Sequence, residues 1–317
     1  MSTQNNQLAF VFPGQGSQSV GMLAEMAETY PDIKNTFAQA SEVLGLDLWA
    51  LVNDGPAEEL NQTHNTQPAM LAAGVAFWKV WCAQSDVRPG FMAGHSLGEY
   101  TALVCSGVLD FTDAIALVAA RGRFMQEAVP EGVGAMAAVL GLTDEQVIQV
   151  CSEAAQGEVC AAVNFNSPGQ VVIAGNSAAI DRAMLAAKAA GAKRALKLPV
   201  SVPSHCALMQ PAADKLYSKM QEMQFAQPDV VLLHNVDVSV HKQADEIRQA
   251  LKQQLFMPVR WVDTVKAMVD QGVATVAEIG PGKILMGLNK RIVKTADHFT
   301  VYNPDTLNKL LEHYSND

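Results

Sequence analysis

The 317-residue sequence has little with which to hold a metal, span a bilayer or grip nucleic acid. Its five cysteines (Cys82, Cys105, Cys151, Cys160 and Cys206) are odd in number and form no C-x-x-C pair. That usage fits neither a disulfide framework nor a zinc site, and it suits a reducing, cytoplasmic compartment. The longest apolar run, 69–78, stops at Lys79 and is too short for a membrane-spanning helix. Positive charge is scarce: 22 Lys and Arg stand against 32 Asp and Glu, a formal net charge of -10. Such a balance argues against nucleic acid as a main partner. The first seven residues are polar and carry no basic side chain, so no signal peptide is expected. A dinucleotide fingerprint is also lacking. Pro13-Gly14-Gln15-Gly16-Ser17-Gln18 follows an apolar run, but Ser19 stands where the third glycine belongs, and no acidic residue closes a second strand about twenty residues on.

What is present is a chain that is 49% hydrophobic, enough for one large domain or two smaller ones. Apolar runs alternate with helical periodicity. They predict a strand at 8–12, helices at 22–28, 31–44 and 67–85, a strand at 89–93, and helices at 97–106 and 113–128. This alternation implies an α/β core with a mostly parallel sheet. Between 128 and 201 the order changes: strand 134–140, a helix from Thr143 to about 155, strands 160–164 and 170–174, helix 177–190, strand 194–200. Strand-helix-strand-strand-helix-strand is the ferredoxin-like unit, expected here as an insertion. Helix 211–223, strand 230–236, helices 244–254 and 262–270, strand 273–279 and helix 283–295 follow, ahead of a polar C-terminal tail.

Gly94-His95-Ser96-Leu97-Gly98 is a G-x-S-x-G pentapeptide between a predicted strand and a predicted helix. On such a turn small neighbours let the serine hydroxyl project and leave the following N–H free for an oxyanion. Ser96 as nucleophile needs a base. His95 would point away from it, and His298 and His313 fall in the polar tail, which leaves His64, His205, His234 and His241. His205, in the loop Pro203-Ser204-His205-Cys206 after a predicted strand, has the most suggestive setting. No carboxylate stands out as a third triad member. A Ser-His dyad oriented by a backbone carbonyl would be chemically sufficient.

Arg121 is unusual because its helical neighbours Leu117, Val118, Phe124 and Met125 are all apolar. A guanidinium in that stripe implies an internal ion pair, a snorkelling stem, or a fork for a substrate carboxylate. In the loop at 13–18, small residues would let backbone N–H groups approach a ligand oxygen. Between Glu278 and Asp297 no acidic residue occurs, whereas Lys283, Lys290, Arg291 and Lys294 do. The spacing of seven and four puts Lys283, Lys290 and Lys294 on one predicted helix face, a solvated stripe or a dock for a small acidic protein.

Taken in order, these motifs resemble the malonyl-CoA:acyl carrier protein transacylase family. The resemblance runs through Phe12-Pro13-Gly14-Gln15-Gly16-Ser17-Gln18, Thr66-Gln67-Pro68-Ala69, Gly94-His95-Ser96-Leu97-Gly98-Glu99-Tyr100 and Arg121-Gly122. It continues through Asn166-Ser167-Pro168-Gly169-Gln170, Val202-Pro203-Ser204-His205, Pro258-Val259-Arg260-Trp261 and Glu278-Ile279-Gly280-Pro281-Gly282. It implies an α/β fold, with a hydrolase-like parallel-sheet core at 1–127 and 202–317 and the ferredoxin-like α+β insertion at 128–201. It also implies ping-pong malonyl transfer from malonyl-CoA to acyl carrier protein, feeding fatty acid synthesis. Ser96 would be the nucleophile, His205 its base, and the N–H groups of Gln15 and Leu97 the oxyanion hole. Arg121 would clamp the malonyl carboxylate, Gln254 would sit beside the dyad, and Asn166 would face the cleft from the insertion's turn. No cofactor, metal or membrane is implied, and a cytoplasmic monomer is expected. Phe256-Met257 departs from the family's tyrosine and asparagine before Pro258. An esterase or thioesterase, a non-catalytic docking module and a polyketide-loading acyltransferase are the rival readings.

Overall fold

The computed structural model describes residues 2–200 and 202–315. Met1, Ser201, Asn316 and Asp317, which fall at the ends of the expected domain segments, lie outside the described residues. The strands are β1 (Thr3–Phe12), β2 (Val87–Gly94), β3 (Gly134–Leu140), β4 (Cys160–Ser167), β5 (Gln170–Asn176), β6 (Arg194–Lys197), β7 (Val231–Leu233), β8 (Thr275–Ile279) and β9 (Asp297–Val301). The first seven helices are α1 (Ala24–Thr29), α2 (Pro31–Leu44), α3 (Leu48–Asp54), α4 (Ala57–Leu60), α5 (Thr63–Gln84), α6 (Gly98–Cys105) and α7 (Phe111–Ala128). The others are α8 (Asp144–Ala155), α9 (Ser177–Ala189), α10 (Gln210–Gln221), α11 (Ala244–Gln254), α12 (Trp261–Asp270), α13 (Ile284–Ile292) and α14 (Pro304–Ser315).

The larger sheet has the order β7-β2-β1-β8-β9, and every neighbouring pair is parallel. Its central strand explains the continuous apolar run at 8–12. Leu8, Phe10 and Phe12 enter one core with α5 and α7, whereas Ala9 and Val11 enter another with Trp261, Val265 and Leu285. A parallel strand covered on both faces has no polar side to alternate with. Phe10 meets Trp81 of α5 edge-on, with ring centroids 5.2 Å apart.

The smaller sheet has the antiparallel order β4-β5-β3-β6, covered by α8 and α9 through Val147, Ile180 and Ala183. This α+β unit beside a parallel-sheet core matches the fold class expected from the sequence. Thr143 and Gln146 form a capping box that starts α8 where the sequence places it. The Phe165 N–H donates to the Val259 carbonyl (3.0 Å) and the Val259 N–H to the Val163 carbonyl (2.8 Å). These bonds tie β4 to the segment entering α12 and fix the small sheet against the large one.

Several expectations need correction. The polar C-terminal tail, for which no element is predicted, holds two: His298 lies in β9 and His313 in α14. β9 reads as polar because it is an edge strand in which only Val301 is buried. In α14, Leu307 and Leu310 are buried and Leu311 and Tyr314 pack against the core, a helical spacing hidden among polar residues. α3 and α4 are too short to show a period. The expected helix 283–295 ends at Ile292, so Lys294 lies beyond it. β4 runs on to Ser167, leaving Pro168-Gly169 as the turn.

Candidate active site

β2 ends at Gly94 and α6 begins at Gly98, which leaves a three-residue elbow between them. A Cβ on Gly94 would overlap the Gly98 carbonyl, and one on Gly98 would overlap the carbonyl of Phe12. Both motif glycines are therefore required by close backbone approach. Between them Ser96 has φ of 52°, the left-handed region that side chains rarely occupy, and its hydroxyl is presented at the strand end.

Ser96 Oγ lies 2.8 Å from His205 Nε2. His205 also has a positive φ, 66°, and its N–H is held by the Leu255 carbonyl at 2.9 Å. Its Nδ1–H donates to the main-chain carbonyl of Gln254 at 2.6 Å, leaving Nε2 to accept from Ser96. Of the four candidate bases, only His205 reaches the serine. Burial, aided by the Arg121 charge, lowers the His205 pKa from 6.5 to about 3, against the opposing Gln254 bond.

Arg121 is fully buried on α7. Its Nη1 donates to Gln67 Oε1 (2.9 Å), and its Nη2 donates to Gln254 Oε1 (3.0 Å) and Ser96 Oγ (3.3 Å). Its guanidinium carbon lies 5.4 Å from the Tyr100 ring centre. Among the described residues no carboxylate lies within ion-pair distance of it, so the internal-ion-pair alternative falls away. The guanidinium rests on neutral oxygens with one edge beside the Ser96 hydroxyl.

A cavity of about 140 Å³ opens over Ser96 and His205, lined by Gln15, Thr63 and His95 from the parallel-sheet unit and by Met136, Asn164 and Leu198 from the antiparallel one. Gly14 runs against the elbow: a Cβ there would overlap the His95 carbonyl and stand 3.7 Å from the Leu97 nitrogen. Among the described residues neither the Gln15 nor the Leu97 N–H donates to a protein acceptor, so both remain available to an oxyanion.

Asn166 is placed differently from expectation. It lies within β4 rather than in the turn, and its Oδ1 is taken up by His95 Nε2 at 2.8 Å. Asn164 lines the cavity in its stead, its Oδ1 buried without a partner. Gln254 lies beside Ser96 and His205, with its Nε2 donating to the Ser96 carbonyl (3.0 Å) and to Glu99 Oε2 (2.8 Å). Sequence reasoning gave no role to Glu99 and passed over Asn235. Asn235 Oδ1 accepts the Ser96 N–H at 2.7 Å and its Nδ2 donates to the Gly94 carbonyl at 2.6 Å, clamping the elbow. Phe256 packs against the core, Met257 is exposed, and neither lines the cavity.

Lys283, Lys290, Arg291 and Lys294 are all exposed and none lines this cavity. Arg291 instead borders a wider surface bowl of about 650 Å³ together with Lys193 and Lys266. Lys283 precedes α13 and Lys294 lies past its end, so of these cations only Lys290 and Arg291 are on the helix and the expected one-face spacing of 283, 290 and 294 is not realised.

The family model for the acyl transferase domain matches residues 9–303. The malonyl CoA-acyl carrier protein transacylase of Escherichia coli (strain K12) is 59% identical over 306 residues, 96% of this chain and 99% of that protein. The crystal structure of an acyl carrier protein S-malonyltransferase from Vibrio cholerae superposes with a TM-score of 0.94 at 57% identity, covering 96% of this chain and 99% of that one. A malonyl-transacylase solved in complex with a type II PKS acyl-carrier protein gives 0.96 at 56% identity, covering 97% and 99%. Because the family model spans most of the chain and the relatives match it over nearly their full length, the chain belongs to the acyl transferase domain family, among the malonyl CoA-acyl carrier protein transacylases.

Proposed function

We propose that the protein transfers the malonyl group of malonyl-CoA to the phosphopantetheine thiol of acyl carrier protein through a malonyl ester on Ser96, supplying fatty acid synthesis. The observation that carries this reading is the meeting of three groups: Ser96 Oγ has the His205 base at 2.8 Å and the Arg121 guanidinium at 3.3 Å. A dyad alone would serve any acyl group. A buried cation beside the nucleophile favours one that brings its own carboxylate.

In the first half-reaction the Ser96 proton passes to His205 Nε2 as Oγ attacks the thioester carbonyl. Negative charge on the carbonyl oxygen falls to the N–H groups of Gln15 and Leu97. The C–S bond then breaks and the departing thiolate takes the proton from His205. In the second, the carrier's thiol gives its proton to His205 and its sulfur attacks the ester carbonyl. Ser96 leaves and recovers the proton. Gln254 holds His205 and Arg121 in place, while Asn166 acts at one remove by fixing His95. The reading takes residues 128–201 as an insertion that roofs the site, and the cations of 283–294 as a dock for the acidic carrier. It places a monomer in the cytoplasm; among the described residues no helix is long and apolar enough to cross a membrane.

The relative solved with a polyketide carrier keeps a second acceptor in view. Loading fatty-acid and polyketide carriers in parallel from malonyl-CoA tests both. Malonyl transfer to either carrier supports the reading, their rate ratio names the acceptor, and hydrolysis without transfer overturns it.

A further inference from the structure

Beneath the elbow lies a buried carboxylate that the transfer chemistry does not use directly. Glu99, in the first turn of α6, has no exposed surface, and among the described residues no lysine or arginine lies within ion-pair distance of it. Two donors meet on its Oε2, the Asn235 N–H at 3.1 Å and Gln254 Nε2 at 2.8 Å, and its Oε1 lies 2.7 Å from His234 Nδ1.

The consequence falls on Gln254, whose side-chain amide has two orientations of nearly equal shape. In one, its NH2 faces Glu99 and the Ser96 carbonyl while its oxygen faces Arg121; this is the arrangement present. In the other, a donor would face a guanidinium and an oxygen would face a carboxylate. Glu99 Oε2 accepts here and a guanidinium only donates, so the two partners together select the first. The backbone carbonyl of the same residue orients His205.

We propose that Glu99 is a positioning residue for malonyl transfer: its carboxylate sets the direction of the Gln254 amide and thereby supplies the oxygen that holds Arg121 beside Ser96. This rests on the malonyl-transfer reading above and deepens it, because it makes acyl-group choice depend on a residue that touches no substrate. Asn235, whose N–H is also held by Glu99, carries the same influence to the other side of the elbow.

The test compares acylation of Ser96 by malonyl-CoA and by acetyl-CoA in the intact protein and in Glu99→Gln. A glutamine at 99 presents a donor of its own and lets the Gln254 amide turn. The malonyl-over-acetyl preference is expected to narrow by about tenfold, the worth of one hydrogen bond to a charged group. In a Gln254→Ala background Glu99→Gln is expected to narrow it no further. A folded Glu99→Gln protein with unchanged preference, or losses that add in the double variant, would overturn the proposal, since a purely structural role lowers melting temperature without moving that ratio. If Glu99→Gln does not fold, Gln254→Met gives the same readout. It keeps the backbone carbonyl for His205 but cannot bridge Glu99 and Arg121, and an unchanged preference there overturns the proposal equally. Absence of malonyl-enzyme in the unsubstituted protein would instead overturn the malonyl-transfer reading itself.

Discussion

His205 Nδ1–H donates to the main-chain carbonyl of Gln254 at 2.6 Å, so the imidazole beside Ser96 is oriented by a neutral oxygen and not by a carboxylate. A neutral partner fixes the tautomer as an aspartate would. Its bond favours the imidazolium, but burial, aided by the nearby Arg121 charge, outweighs it and lowers the His205 pKa to about 3.

The first prediction follows from that direction. As pH falls through 6.5, the ordinary histidine value, His205 stays neutral in the folded protein. The rate of malonyl-Ser96 formation, followed by rapid quench, is expected to be flat from about pH 8 to about pH 5. A break near 6.5 would contradict the environment described. The same shift bears on folding. The stability His205 contributes is fully present above 6.5 and is lost progressively as pH falls toward about 3, since the unfolded chain takes the proton first.

Arg121→Ala removes the cation beside Ser96 and leaves the Gln67 and Gln254 oxygens without a donor. A hydrogen bond to a charged group is worth about 1.5–3 kcal/mol, so malonyl acylation should fall roughly 10- to 100-fold more than acetyl acylation. Arg121→Lys should not restore the difference, because a point charge cannot span two amide oxygens and a ligand. Competition between malonyl-CoA and acetyl-CoA measures both.

Gly94→Ala places a methyl group into the Gly98 carbonyl. The elbow must open or the chain must not fold, at a cost of about 3 kcal/mol or more. Chemical denaturation gives the stability loss, and acylation of whatever remains folded is expected to be lost with it. Gly16→Ala, where a Cβ meets nothing but φ is 100°, is expected to be much milder.

Lys290→Glu with Arg291→Glu tests the proposed dock. Transfer to the carrier should weaken severalfold and lose part of its dependence on salt, while acylation by malonyl-CoA stays as it was. Equal loss in both half-reactions would place these cations in the substrate site and not on a docking surface.

The parts of the site that could be read from the sequence were those with a local reason to exist. Ser96 announces itself through glycines that only a tight turn needs, and Arg121 through the apolar neighbours around it. Strand 8–12 is legible because burial on both faces leaves one unbroken apolar run. Glu99 and Asn235 were not legible. Each is a polar residue whose importance comes from partners more than a hundred positions away, so no local pattern marks them. Asn166 was misplaced for a related reason: the Ser167-Pro168-Gly169 turn signal spread over the end of a strand that continues to Ser167. β9 and α14 were missed because their polar faces outweigh the few side chains that anchor them.

The most direct test of the account is the mass of the intact protein after incubation with malonyl-CoA, followed by peptide mapping. The account predicts the gain of a single malonyl group, located on Ser96 and absent from Ser96→Ala. An adduct on another residue, or one that persists in Ser96→Ala, would contradict it.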